Sequence, residues 1–427
     1  MDNTLVLLPY LKGEKSIRQP EAILAEAVSL TKAIDLNVLH SAVVPMREIK
    51  AGTYLGKGTI DSYRDFIKEN EVAVVILSCH LSPLQQRNLE KEWNTKVIDK
   101  TALILEIFGQ RARTREGVLQ VELAHLTYAR SRLVRSWTHL ERQRGGSGFL
   151  GGPGETQIEL DRRLIDEDIV KIKKELTEVK KTRELHRKAR RRVPFPIVAL
   201  VGYTNAGKST LFNKLTQADV FAKDMLFATL DPTMRQIKLP SGQIAILSDT
   251  VGFVSDLPTE LVMAFRATLE EVLEADVIVH VRDYFHPDTK AQKKDVEAVL
   301  SDLGLKEKVD CELIEALNKI DMFEPDDRQM ICNQKKWKDK EWPISAVTGE
   351  GIKELLFCIE ETLNKDRQLY KLMIPIEDGK TLARLYQKGQ IVRRTDNEKT
   401  ITLFVKLKPE DVSLFQAFII KKGEKNG

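Results

Sequence analysis

Three short segments of the chain carry residue types that hold a nucleoside triphosphate in proteins. Residues 202–209 read G-Y-T-N-A-G-K-S, which matches the phosphate-loop pattern G-x-x-x-x-G-K-[ST] between an apolar run and a segment with helical spacing. Residues 249–252 read D-T-V-G at the end of another apolar run, and residues 318–321 read N-K-I-D. These motifs are expected at the strand ends of a doubly wound sheet.

The third segment selects the base. The Asp321 carboxylate can accept two hydrogen bonds from guanine, one from N1–H and one from the 2-amino group. Adenine has neither donor, and it would leave the charge unpaired in a partly dry pocket. Each motif alone occurs by chance, but here they occur in order and are followed by Ser345 and Ala346. The sequence therefore predicts a GTP site, while weak binding of ATP through the phosphate loop stays open.

The phosphate contacts follow from the chemistry of the same residues. Backbone N–H groups of the phosphate loop surround the β-phosphate, and Lys208 bridges the β- and γ-phosphates. Gly252 is expected to donate its N–H to the γ-phosphate, which makes the following stretch sensitive to the nucleotide. Ser345 and Ala346 are expected to turn backbone N–H groups toward guanine O6, and Lys319 to lie along the base.

A magnesium ion is expected beside these phosphates. Ser209 supplies a hydroxyl ligand, and Asp249 reaches the ion through water. Residues 227–233 read F-A-T-L-D-P-T where the first nucleotide-sensitive segment should be. Either Thr229 or Thr233 would complete the magnesium shell.

The residue after D-x-x-G departs from many GTPases. A glutamine often stands there and orients the attacking water, but this chain has Phe253. A phenyl ring cannot hydrogen-bond to water. We therefore expect slow intrinsic hydrolysis that a partner accelerates.

A basic segment precedes the phosphate loop. Residues 111–192 contain 21 Lys and Arg against 12 Asp and Glu, a net charge of +9, whereas the whole chain carries only +4. Apolar residues recur at three-, four- and seven-residue steps, which predicts two long helices paired as an antiparallel hairpin. Residues 144–154 between them read R-G-G-S-G-F-L-G-G-P-G. Glycines, flanking arginines and Phe149 at the tip favour contact with RNA, although a solvated helix pair with a flexible linker would also fit.

The pattern of elements divides the chain into four parts. Residues 1–110 alternate predicted strands and helices and form a small α/β subdomain. The helical hairpin spans 111–192, the α/β GTPase domain spans 193–365, and residues 366–427 read as a small α+β domain with a final helix over 409–418. The predicted fold class is therefore α/β, with a phosphate-loop GTPase domain at its centre.

Composition and cysteine usage narrow the class of protein. The chain has 427 residues, of which 42% are hydrophobic and 30% are charged, as in ordinary globular proteins. No apolar run reaches the roughly 18 residues that span a bilayer, and the N-terminus lacks a signal-peptide pattern. The four cysteines are scattered, which favours thiols in a reducing compartment. We expect a cytoplasmic monomer without a membrane span.

Taken together, the motifs resemble those of the HflX family of ribosome-associated GTPases. They include F-A-T-L-D-P-T, D-T-V-G-F and, most specifically, G-S-G-F-L-G-G-P-G-E-T-Q-I-E-L-D-R-R before the GTPase domain. The resemblance covers about residues 1–365. It departs at Met234, where the family pattern leads us to expect threonine.

The resemblance implies a set of site residues. Mg²⁺ would be held by Ser209 and Thr229, and catalysis would involve Lys208, Thr229 and Gly252. The implied GTP contacts are Gly202, Tyr203, Thr204, Asn205, Ala206, Gly207, Lys208, Ser209, Phe227, Ala228, Thr229, Leu230, Asp231, Asp249, Thr250, Val251, Gly252, Asn318, Lys319, Ile320, Asp321, Ser345, Ala346 and Val347.

The resemblance also implies a partner and a task. The hairpin would bind RNA of the large (50S) ribosomal subunit, and the protein would split ribosomes that are stalled or affected by stress. The alternative is a signalling GTPase that regulates a protein partner and uses the hairpin as a dimerisation coiled coil. The glycine-rich basic tip favours the first interpretation, because a dimerisation hairpin does not need it.

Overall fold

The computed structural model describes most of the chain. It covers residues 2–13, 18–143, 153–190, 195–217, 227, 233–255, 271–333, 340–397 and 399–422. These residues form three β-sheets, the helices that flank them and a long helical hairpin. Within these ranges, no helix combines the length and apolarity needed to cross a bilayer.

The N-terminal part is a parallel sheet with helices around it. Its strand order is β2-β1-β3-β4. The strands are β1 (Asn3–Leu11), β2 (Asn37–Met46), β3 (Val74–Leu77) and β4 (Lys96–Asp99). The helices are α1 (Pro20–Lys32), α2 (Lys57–Glu69), α3 (Pro83–Trp93) and α4 (Lys100–Arg111). Leu5, Val6 and Leu7 are all fully buried, as expected for a parallel strand covered on both faces.

The sequence prediction omitted helix α4. Seven of its twelve residues are buried, including Leu103, Ile104 and Phe108. Its apolar residues lie in two short runs, residues 102–105 and 107–108, and periodicity does not distinguish such runs from a buried strand. The side chains of α4 contribute to a core shared with the GTPase domain.

The predicted hairpin is present as two paired helices. They are α5 (Arg115–Gln143) and α6 (Pro153–Arg190). Leu119 of α5 packs with Ile172 and Leu176 of α6, and Leu123, Leu126 and Val179 flank this seam. The glycine-rich stretch 144–152 lies outside the described residues.

Helix α5 also fixes the hairpin to the N-terminal sheet. The Asp99 carboxylate, at the end of β4, accepts hydrogen bonds from the Tyr128 hydroxyl (2.8 Å) and the Arg132 guanidinium (2.7 Å). Val121 and Ala124 are buried in the neighbouring core. The base of the hairpin is therefore joined to the sheet by both polar and apolar contacts.

The GTPase domain contains a six-stranded sheet of order β10-β9-β8-β5-β7-β6. Only β6 runs antiparallel to its neighbour. The strands are β5 (Ile197–Val201), β6 (Thr233–Lys238), β7 (Ile244–Asp249), β8 (Val277–Asp283), β9 (Ile314–Asn318) and β10 (Glu341–Pro343). The helices are α7 (Lys208–Thr216), α8 (Thr289–Asp302), α9 (Lys306–Glu312), α10 (Pro325–Asn333) and α11 (Ile352–Asn364), with a 3₁₀ turn at Ile320–Met322.

The C-terminal part is an antiparallel sheet of order β12-β13-β11-β14 with one helix before β12. The elements are β11 (Gln368–Pro375), α12 (Gly379–Lys388), β12 (Gln390–Asp396), β13 (Thr400–Leu407) and β14 (Ile419–Lys422). The single final helix predicted over 409–418 is wrong. A 3₁₀ turn (Pro409–Asp411), a one-turn helix α13 (Val412–Phe415) and a second 3₁₀ turn (Gln416–Phe418) occupy it. These short turns bury Phe415 and deliver β14 to the edge of β11.

The predicted fold class is confirmed: an α/β GTPase domain follows an α/β unit and a helical hairpin and precedes a small α+β unit. One hydrophobic core joins the first unit to the GTPase domain. It includes Ile104 and Phe108 of α4 together with Tyr203, Val251 and Phe253 of the GTPase domain. The nucleotide motifs therefore lie beside the N-terminal unit.

We predict that packing in the apolar seam between α5 and α6 contributes a large part of the stability of the hairpin. Ile172 is 5% exposed in the seam, whereas Val170, two residues earlier, is 67% exposed. Ile172→Ala leaves a cavity and should cost about 2–4 kcal/mol. Val170→Ala should change stability by less than about 0.5 kcal/mol. Urea unfolding followed by far-ultraviolet circular dichroism measures both, and equal midpoints for the two variants would contradict the packing described here.

Candidate functional site

The phosphate loop connects β5 to the start of α7, as its motif predicts. Its glycines are required by close contacts. Gly202 has φ +152°, and a Cβ there would lie 2.1 Å from the Val281 carbonyl oxygen. Gly207 has φ +90°, and its Cβ would lie 2.2 Å from Nδ2 of Asn318. A side chain at Gly202 would displace the backbone at Val281, and a side chain at Gly207 would displace Asn318.

Lys208 lies inside the loop. Its Nζ donates to the carbonyl oxygens of Gly202 (3.1 Å) and Tyr203 (2.8 Å), and the residue is 6% exposed. Burial lowers the pKa of Lys208 to about 8, although the nearby Asp249 acts in the opposite direction. A buried ammonium is well placed to interact with anionic phosphate oxygens.

The two predicted magnesium-site side chains on the described residues are adjacent. The Ser209 hydroxyl donates to Oδ2 of Asp249 at 2.8 Å. Both oxygens are hard donors of the kind that Mg²⁺ binds, so the pair fits the predicted ion. Thr233, the alternative to Thr229, begins β6 and pairs with Asp249 in register.

Gly252 lies against the phosphate loop. A Cβ at this position would be 2.8 Å from Cα of Thr204 and 3.1 Å from Nζ of Lys208. The D-x-x-G glycine is therefore close to the lysine predicted to bind the same phosphate.

The Asn318 side chain joins the phosphate loop to the loop after β10. Its Nδ2 donates to the Ala206 carbonyl at 2.8 Å, and its Oδ1 accepts from the Ala346 N–H at 2.9 Å. The Ser345 N–H donates to the Glu350 carbonyl. A guanine O6 would therefore compete with Asn318 for the Ala346 N–H.

Asp321 presents an unsatisfied acceptor on the same side. Within the part of the chain that the structure describes, its Oδ1 is buried and has no hydrogen-bond partner. Since buried polar atoms are almost always hydrogen-bonded, this oxygen is suited to a donor from a bound ligand. The N1–H and 2-amino groups of guanine are donors of the required kind.

Three other predicted base-site residues lie in different environments. Lys319 has φ +67°, and its ammonium forms an ion pair with Asp283 at 2.7 Å. Val347 is 69% exposed and makes the outer edge of the site. Ile320 is fully buried beneath the base loop.

The structure describes two residues of the first nucleotide-sensitive segment, Phe227 and Thr233. Ala228, Thr229, Leu230 and Asp231 lie outside the described residues, so the predicted Thr229 ligand remains a prediction. Phe227 is described, and its ring packs edge-on against Phe108 of α4 with centroids 4.7 Å apart. The segment therefore begins on the N-terminal unit.

Phe253 is turned into the protein. It is 3% exposed, and its backbone forms a short parallel bridge to Tyr203. The Thr204 N–H donates to the Phe253 carbonyl at 2.7 Å, and the Phe253 N–H donates to the Gly202 carbonyl at 3.1 Å. The ring thus belongs to the interdomain core and not to a water-binding surface.

Sequence reasoning missed a polar cluster beside the phosphate loop. The Tyr203 hydroxyl lies among Arg18, Glu26 and Ser255. Glu26 is separated from Tyr203 by 177 positions. No local spacing pattern reports a contact over that distance, and the loop pattern leaves the second position unrestricted.

Four family models together match most of the chain. The N-terminal and middle regions of the GTP-binding GTPases match residues 21–109 and 111–190. A model described as a 50S ribosome-binding GTPase matches residues 197–319, and the HflX C-terminal domain matches 330–417.

A solved GTP-binding protein from Sulfolobus solfataricus, in complex with GDP, is 22% identical with a TM-score of 0.46. The alignment covers 86% of this chain and 99% of that one. This likeness is too low to support a conclusion about the site.

Curated relatives are much more similar. The GTPase HflX of Magnetococcus marinus is 45% identical over 98% of this chain and 95% of that protein. The GTPase HflX of Escherichia coli is 44% identical over 83% of this chain and 82% of that protein. With such relatives and a phosphate-loop GTPase domain, the chain is a GTP hydrolase and belongs to the HflX family of ribosome-associated GTPases.

Proposed function

We propose that the chain binds GTP with Mg²⁺ at the strand ends of the GTPase sheet and splits stalled or stress-affected ribosomes on the large subunit. The observation that carries the ribosomal part is the basic hairpin, whose helices pair with each other and are fixed to the unit that contacts the nucleotide motifs. The matched 50S ribosome-binding GTPase model supports the same partner.

Guanine selection rests on Asp321 in this proposal. Its buried Oδ1 needs a donor, and its position follows the Asn318 bridge to the phosphate loop. Lys319, restrained by Asp283, would lie along the base. Ser345, Ala346 and Val347 complete the surrounding loop.

The phosphates would lie between the phosphate loop and Gly252. Lys208 is already directed at this space by its two carbonyl partners. Ser209, Thr229 and, through water, Asp249 would hold Mg²⁺, which when bound neutralises charge on the phosphate oxygens.

The hairpin would act as an arm. Helix α6 has 38 residues, so it spans about 57 Å at the usual rise per residue. This length, together with the positive charge of residues 111–192, suits a long-range contact with RNA phosphates. The tip around Phe149 would insert among bases.

The alternative of a dimerisation coiled coil has less support. A coiled coil dimerises through its apolar seam, and here the seam residues Leu119, Ile172 and Leu176 are buried within one chain. A second copy would have to replace the contacts that the hairpin makes with itself.

We predict that Asp321→Asn exchanges guanine for xanthine preference. The amide would donate where guanine also donates, whereas xanthine offers an oxygen at that position. GTP affinity should fall by about 10–100-fold, and xanthosine triphosphate affinity should rise. Titration with fluorescent nucleotides measures both, with Asp326→Asn as an exposed control on the following helix. Undiminished GTP preference in Asp321→Asn would refute the base-site assignment.

A second prediction compares two glycines with nearly the same backbone conformation. Gly207 has φ +90° and Gly242 has φ +88°, so alanine strains either position by about 1–2 kcal/mol. Only at Gly207 does the added Cβ strike Asn318; at Gly242 the nearest atom is 3.7 Å away. Gly207→Ala should weaken GTP binding by about tenfold or more, and Gly242→Ala should not. Calorimetric titration distinguishes them, and similar affinities would show that the Asn318 bridge is dispensable.

A third prediction concerns the glycine-rich tip of the hairpin. Replacing residues 145–153 with a short neutral turn should leave basal GTP hydrolysis within about twofold, because distant sites act independently. Ribosome splitting, followed by light scattering, should be lost. A glycine-serine loop of native length that retains Arg142 and Arg144 separates charge from the apolar tip. Splitting at the wild-type rate by the neutral-turn variant would reduce the tip to a linker.

A further inference from the structure

A buried hydrogen-bond cluster connects the N-terminal unit to two nucleotide motifs. Tyr203, the second residue of the phosphate loop, donates its hydroxyl hydrogen to Oε2 of Glu26 at 2.5 Å. The same hydroxyl oxygen accepts from the Ser255 N–H at 2.7 Å and from Arg18 at 3.0 Å. The hydroxyl thus makes one donor and two acceptor contacts, which is its full capacity.

The Glu26 carboxylate also accepts hydrogen bonds from Ser255 and Lys100. Its Oε1 accepts from the Ser255 hydroxyl at 2.9 Å and from Lys100 at 3.2 Å. Lys100 in turn donates to the Ser255 hydroxyl oxygen at 2.7 Å. Burial acts to raise the pKa of Glu26, but Lys100, the Tyr203 hydrogen bond and Arg18 outweigh it, and the pKa lies below its usual value. The carboxylate is therefore held in its charged form.

The cluster connects the phosphate loop to the segment after Gly252, and GTP hydrolysis depends on the relative position of these two segments. Tyr203 belongs to the phosphate loop, and its carbonyl oxygen accepts from Lys208. Ser255 follows Gly252 by three residues, and Phe253 between them is bridged to Tyr203. The backbone N–H of Ser255 donates to the Tyr203 hydroxyl, and this contact extends the two backbone bonds of Phe253 to the loop by two residues.

We propose that Glu26 is a positioning residue for GTP hydrolysis: it orients the Tyr203 hydroxyl, which holds the segment after Gly252 in register with the phosphate loop. This inference rests on the nucleotide contacts assigned under the proposed function. Glu26 itself touches neither nucleotide nor water in this scheme. It acts from the N-terminal unit through Tyr203 and Ser255, so that unit becomes part of the hydrolytic apparatus.

Tyr203→Phe tests the proposal with the smallest change. The ring stays, while the hydroxyl that donates to Glu26 and accepts from the Ser255 N–H is removed. Because small misplacements near a reacting centre cost large factors in rate, kcat for GTP hydrolysis should fall about tenfold or more. GDP affinity, measured with a fluorescent analogue, should stay within about threefold, since the phosphate-loop backbone is unchanged. Glu26→Gln should lower kcat in the same way, because its amide cannot accept at both positions.

Tyr370→Phe is the matched control. It also removes the hydroxyl of a buried tyrosine with a hydrogen-bond partner, the Gln368 side-chain oxygen at 3.1 Å, but in the C-terminal sheet. Its kcat should stay within about twofold of the wild type. If Tyr203→Phe turns over like the wild type or faster, or loses GDP affinity as much as kcat, the positioning role is refuted. Failure of the wild-type chain to bind GTP would instead refute the site assignment.

A double variant provides a second readout. Ser255→Ala removes the hydroxyl between Lys100 and Glu26 but keeps the backbone N–H. If the cluster works as a unit, Tyr203→Phe and Ser255→Ala should not be additive in their effects on kcat. Simple additivity of the two losses would show independent local effects and overturn the proposal.

Discussion

The burial of Phe253 is the constraint on which the arrangement of the nucleotide site depends. Its ring lies in a core that the N-terminal unit shares with the GTPase domain, and its backbone is bonded to the phosphate loop on both sides. Placing the ring there removes the position after D-x-x-G from water activation. It also anchors Gly252 beside Lys208. The residue that replaces the water-orienting glutamine is therefore part of the interdomain core.

The same interface gives the N-terminal unit a role in the site. Phe108 contacts Phe227, where the first nucleotide-sensitive segment begins, and Glu26 contacts Tyr203 and Ser255. The hairpin is attached to this unit through Asp99, which directly precedes Lys100. The hairpin helix α5 and the GTPase domain both contact this unit at one hydrophobic core, because Val121 and Ala124 lie in the same cluster as Tyr203 and Phe253.

Local sequence patterns were sufficient to predict much of the fold and of the candidate site. The phosphate loop, Asp249 and Asp321 could be predicted because each motif lies within a few residues at a strand end. The hairpin seam followed from helical periodicity. Helix α4 could not be recognised in this way because its short apolar runs also fit a buried strand. Short helical turns that lead into β14 replace the predicted final helix, and no local pattern reports the pairing of β14 with β11. The Glu26 cluster likewise depends on contacts between distant segments.

We propose that rapid GTP hydrolysis at this site requires groups or ordering supplied by the large ribosomal subunit. Single-turnover GTP hydrolysis by the full chain, with and without purified large ribosomal subunits, tests it most directly. The buried Phe253 predicts slow hydrolysis by the chain alone and acceleration by roughly a thousandfold or more with the subunits, in the range that partner-supplied groups provide. Fast hydrolysis by the chain alone, unchanged by the subunits, would contradict the account.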